Sequence, residues 1–83
     1  MDTTRFPRDA PIHDVLRALQ RLGFEEVRRG NHIALRRTGA DGKAMPLTMP
    51  NHRVIKGSTL RTALAQAGCT RDKFLKAYHD SEE

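Results

Sequence analysis

The chain has 83 residues, 37% of them apolar, with 15 Lys and Arg against 10 Asp and Glu and a formal net charge of +5. That length makes one domain with a small core, since such a chain buries roughly 60% of the surface it exposes when unfolded. A pI near 10.1 directs attention to a polyanionic partner; a single cysteine excludes an internal disulfide and suits a reducing, cytoplasmic setting, and no apolar run is long enough for a signal segment or a membrane span.

Residues 1–10 contain Pro7 and lack apolar periodicity, which reads as an extended lead-in. Pro11 fits the first turn of a helix, with Asp9 or Ala10 at its cap. Ile12, Val15, Leu16 and Leu19 then recur at i, i+3, i+4 and i+7, and Gly23 closes the helix. Glu25 to Arg29 is a candidate strand with Val27 facing inward. Gly30-Asn31 reads as a turn pair, because both residues tolerate positive φ. From His32 the chain alternates, Ile33 and Leu35 to one side, His32, Ala34 and Arg36 to the other. A second turn spans Thr38 to Ala44, after which Met45, Leu47 and Met49 alternate again.

These two strands fix their own register. With Arg37 opposite Met45, Ile33 meets Met49 and Leu35 meets Leu47, which builds one apolar face. His32 then opposes Pro50 and Arg36 opposes Pro46. Both prolines share a parity that turns their missing N–H groups away from the partner, as an edge strand permits. The His32 strand is therefore the middle of a three-stranded meander. Asn51 to Gly57 reads as a basic loop carrying His52, Arg53 and Lys56. Ser58 or Thr59 caps a helix with Leu60, Ala63, Leu64 and Ala67 on one stripe, and Gly68 ends it. Thr70 caps a last short helix that turns Phe74, Leu75 and Tyr78 inward, and residues 80–83 form an acidic tail. The domain proper spans residues 11–79. Its expected fold is a small α+β domain of order α-β-β-β-α, a three-stranded antiparallel sheet with helices on one face, plus a short C-terminal helix.

On the uncovered face His32 projects just after a turn, beside Arg36 and within reach of Arg28 or Arg29. Imidazole is the side chain suited to accept and return a proton near neutral pH. Guanidinium groups can hold a phosphate and stabilise charge that develops on it. RNA carries its own nucleophile, the 2′-hydroxyl, so a histidine base with nearby cations suffices for strand cleavage. His52 lies two residues past the partner of His32 and reaches the same end of the hairpin, as an acid or as a binding group. Without further information each of these residues also has a plain reading as part of a solvated surface. Cys69 reads as a packing residue at a helix junction. The histidines lack metal-ligand spacing and no acidic cluster accompanies them, so neither a metal nor another cofactor is expected.

The segments Gly23-Phe24, Gly30-Asn31-His32-Ile33, Pro50-Asn51-His52, Lys56-Gly57-Ser58-Thr59-Leu60-Arg61, Ala67-Gly68 and Phe74-Leu75, in that order and spacing, resemble the HicA (YcfA-like) toxins, small mRNA interferases. The resemblance covers about residues 10 to 79. It implies a fold like the double-stranded-RNA-binding domain, a type II toxin–antitoxin toxin that is an endoribonuclease acting on mRNA, and a HicB-type antitoxin that covers the active site. It implies that His32 is the catalytic histidine and that Gly30 and Asn31 form the turn placing it. Arg28, Arg29, Arg36, Arg53 and Lys56 are the candidate RNA contacts. The competing expectation is a non-catalytic RNA-binding module of the same fold, which would bind in a salt-dependent way and yield no product.

Overall fold

The computed structural model describes residues 6–80. Two short strands and three helices surround the expected meander. In chain order the elements are β1 (Asp9–Pro11), α1 (Ile12–Arg21), β2 (Glu25–Arg29), β3 (His32–Thr38), β4 (Ala44–Pro50), β5 (Val54–Lys56), α2 (Gly57–Gln66) and α3 (Arg71–Asp80). The main sheet has the antiparallel order β2-β3-β4, so the His32 strand is central and the proline-bearing strand is an edge. The β3–β4 register is the one read from the sequence: His32 pairs with Pro50, Ile33 with Met49, Leu35 with Leu47, Arg36 with Pro46 and Arg37 with Met45. Apolar alternation alone set it, because a one-residue slip would move Ile33, Leu35, Leu47 and Met49 out of the core.

Those four side chains are buried against one helical layer, in a single core that also takes Val15, Leu19, Phe24, Leu60, Phe74 and Leu75. The apolar stripe of α1 faces that core at the expected positions, joined by Ala18. Both α1 and α2 end in the same motif. Phe24 N–H donates to Leu19 O and Gly23 N–H to Gln20 O; Cys69 N–H donates to Leu64 O and Gly68 N–H to Ala65 O. This double bond pattern needs a left-handed residue just past the helix, supplied by Gly23 at φ 98° and Gly68 at φ 70°. Thr70 caps α3 as expected, its Oγ1 accepting the Lys73 N–H at 3.3 Å.

Several expectations are corrected. Asp9–Pro11 pairs antiparallel with Val54–Lys56, so the segment expected as a basic loop ends in a strand. Three-residue strands carry too little alternation to be seen in a sequence. Residues 1–5 of the lead-in and residues 81–83 of the tail lie outside the described residues. Neither of the first two helices uses the expected side-chain cap. Pro11 occupies the cap position of α1 and Lys56 that of α2, each without a side-chain bond, because strand pairing delivers the chain directly into the helix. Val27 does not face inward and is 58% exposed. The β2–β3 register shifts between Glu26 and Arg28, which makes Val27 the extra residue of a bulge.

Candidate active site and nucleic-acid interface

The face of the sheet opposite the helices is built by register. Directly paired residues of an antiparallel ladder share a face, so His32, Ala34 and Arg36 of β3 lie with Pro50, Thr48 and Pro46 of β4 and with Arg28 and Glu25 of β2. His32, Arg28 and Arg36 are all exposed. The buried partners of the same strand, Ile33 at 0% and Leu35 at 2% exposure, hold β3 against the helices and fix which way His32 points.

Asn51, which the sequence reading left at the start of a loop, braces the turn before His32. Its backbone N–H donates to Asn31 O at 3.0 Å, which extends the β3–β4 ladder one residue beyond Pro50. Its side-chain amide donates to Gly30 O at 2.9 Å. The turn before His32 is thus held from across the hairpin, and Gly30 closes it with an N–H bond to His32 O at 3.0 Å. Neither Gly30 nor Asn31 has a positive φ, contrary to the expectation for this pair, and a Cβ on Gly30 would meet nothing within 4 Å. The turn is shaped by cross-strand bonds, which a sequence pattern does not display. A polar amide placed opposite a turn was the available signal. Because the ladder runs on through Asn51, His52 follows at the same end of the hairpin as His32, and it too is exposed.

The remaining candidates separate. Arg29 pairs with Ile33 and so lies on the other face from His32. There it binds Glu26 through a 2.5 Å contact, which holds the Glu26 carboxyl below its usual range; the hydrogen bond is the larger cause and the charge the smaller. Arg53 is exposed in the segment after His52, and its carbonyl accepts the Ile12 N–H at 2.9 Å, tying that segment to the start of α1. Lys56 lines a separate cleft between β1, α2 and α3. Arg37 is partly buried: it bonds Leu22 O at 3.4 Å and lies 5.6 Å from the centre of the Phe24 ring, which makes it part of the scaffold. Cys69 is buried, and burial pushes its thiol up, against the opposing pull of Arg37 and Lys73, so it is poorly suited to act as a nucleophile.

Phe24, Phe74 and Tyr78 are in the core and Phe6 packs against it, so the described aromatic side chains do not form a stacking platform on the open face. No helix among the described residues is long and apolar enough to cross a membrane. Comparison with curated proteins and with solved structures gives no match. A family model described as "HicA toxin of bacterial toxin-antitoxin" matches residues 12–69, which run from α1 through the meander and α2 and include His32 and His52. The chain belongs to the HicA family, toxins of bacterial toxin–antitoxin systems that act with a cognate antitoxin.

Proposed function

We propose that the protein is a metal-independent endoribonuclease that cleaves mRNA, with His32 as its catalytic residue. One observation carries this reading: register and burial leave His32 on the uncovered sheet face together with Arg28 and Arg36, inside the segment that matches the toxin family. His32 takes the proton of a 2′-hydroxyl, whose oxygen attacks the adjacent phosphorus; the P–O5′ bond breaks, leaving a cyclic phosphate and a 5′-oxygen that must be protonated. Arg28 and Arg36 hold the phosphate and offset the charge that grows on it. His52, at the same end of the hairpin, is the candidate to protonate the leaving oxygen or to bind the phosphate. A HicB-type antitoxin inhibits by covering this face.

The placement of the aromatic residues supports contact with the backbone and chemistry over base stacking. The test is His32→Ala. Cleavage of mRNA in growing cells and by purified protein should fall about 10²- to 10⁴-fold, the range for loss of a general base, with growth arrest lost and the circular dichroism unchanged. A chelator should not inhibit the parent. If His32→Ala cuts RNA as fast as the parent, the assignment is wrong; if neither protein cuts RNA while both bind it, the chain is a binding module.

A further inference from the structure

Away from the open sheet face, the structure has a cleft of about 630 Å³ where β1, the start of α2 and the start of α3 meet. Among the described residues, Arg8, Lys56, Arg61 and Arg71 line it together with the carboxylate of Asp9. Arg8 immediately precedes β1, Lys56 ends β5, and Arg61 and Arg71 lie on α2 and α3, so no single run of charge produces the cluster. Two of them are held in place by an aromatic ring: the Arg61 and Arg71 guanidinium carbons lie 5.7 and 5.8 Å from the centre of Phe6. Phe6 in turn packs on buried Phe74, with ring centres 6.1 Å apart. Gly57 N–H donates to Arg8 O at 2.6 Å, tying the segment before β1 to the start of α2. Cations fixed by stacking lose less freedom when they bind an anion than cations on loose side chains.

We propose that this cleft is a second phosphate-binding site, which takes the backbone of the RNA at a distance from His32. The proposal rests on the ribonuclease reading above. RNA is favoured over a small anion because the cleft is continuous in the chain with the hairpin end: Lys56 lies four positions after His52, a span of at most about 14 Å. A strand whose phosphate lies at His32 and His52 continues toward it. The cleft anchors RNA on either side of the cut without touching a base, and so adds affinity that is independent of sequence.

The experiment uses the full chain carrying His32→Ala, so that RNA is bound and not cut. Affinity for a single-stranded RNA of about 20 nucleotides is measured against salt, alone and with Arg8→Gln/Arg61→Gln or Arg8→Gln/Lys56→Gln. Two such pairs guard against a folding defect from loss of the Arg61–Phe6 contact. A further pair, Lys73→Gln/Lys76→Gln, removes the same charge from the α3 surface outside the cleft. The expected result is a log–log salt slope lower by about 1.4 for either cleft pair, two phosphates at about 0.7 each, and little change for the α3 pair. Equal losses for cleft and α3 pairs, or no loss for either, overturn the site. Saturable binding of inorganic phosphate with unchanged RNA affinity overturns the RNA assignment in favour of a small phosphoryl ligand. Loss of antitoxin binding alone overturns it in favour of an acidic protein surface. Cleavage of RNA by the parent protein is scored separately. If the parent fails to cut RNA while the cleft pairs still lower the slope, the enzyme reading fails and the site stands; the reverse pattern sinks the site alone.

Discussion

Arg28, Arg29 and Arg36 look interchangeable as a list of cations, and the fold ranks them. Arg28 and Arg36 share the face of His32, whereas Arg29 lies opposite and is already bonded to Glu26. Arg28→Ala and Arg36→Ala should each weaken RNA binding by a similar factor for all sequences and lower the salt slope by about 0.7. Arg29→Ala should lower it less, because that guanidinium must first leave a carboxylate. A filter-binding series over a range of salt reads the difference. An Arg29→Ala slope change equal to that of Arg36→Ala would mean that the Glu26 pair does not hold in solution. The pair also carries a pH sign. A carboxyl lowered in the folded state stabilises above its unfolded pKa of about 4.3 and loses that contribution as pH falls below it, and for an exposed pair the effect is small.

At the scale of elements, the hairpin was legible and its fastening was not. Alternation of Ile33, Leu35, Leu47 and Met49 supplied the register, and the shared parity of Pro46 and Pro50 supplied the edge. The helical stripes and both glycine C-termini were equally open to reading, since each depends on residues close in sequence. Three things depended on contacts between distant residues and stayed hidden: the β1–β5 pair, the bulge at Val27, and the Asn51 bonds to the Gly30-Asn31 turn. The last of these has a consequence for catalysis. Asn51→Ala removes an exposed side-chain bond that is worth about 1 kcal/mol, so the melting temperature should fall by only about 4–8 °C and the protein should stay folded at assay temperature. The turn that positions His32 loses its cross-strand hold, and small displacements at a reacting centre are costly; cleavage should fall by roughly 10-fold or more. Asn51→Asp restores size but not the donor, so it should fail to rescue. Full activity in Asn51→Ala would show that the backbone bond to Asn31 is enough.

At the scale of the molecule, the match to the family leaves out β1 and α3, yet the fold does not. Ala10 from β1 and Phe74, Leu75, Ala77 and Tyr78 from α3 belong to the one core, and the radius of gyration of 12.0 Å is what a compact chain of this length should show. The N-terminal strand is pinned at Gly57. A Cβ there would come within 2.5 Å of Pro7 O and 3.2 Å of Arg8 O, both backbone atoms that cannot rotate aside. Gly57→Ala must therefore push β1 away from the start of α2 and part the walls of the basic cleft. Alanine gains up to about 1 kcal/mol in a helix interior, but Gly57 is the first helical residue, where that gain is smaller, while forced overpacking costs about 1–3 kcal/mol. The clash should win, lowering the melting temperature by about 4–8 °C for each kcal/mol in a domain of this size. Gly30→Ala is the matched control, because its added methyl meets only open space and its φ is not in the left-handed region. Thermal unfolding of the two variants side by side separates the readings. A stable Gly57→Ala would mean that β1 can shift without cost, and a destabilised Gly30→Ala would mean that the hairpin turn is tighter than its geometry indicates.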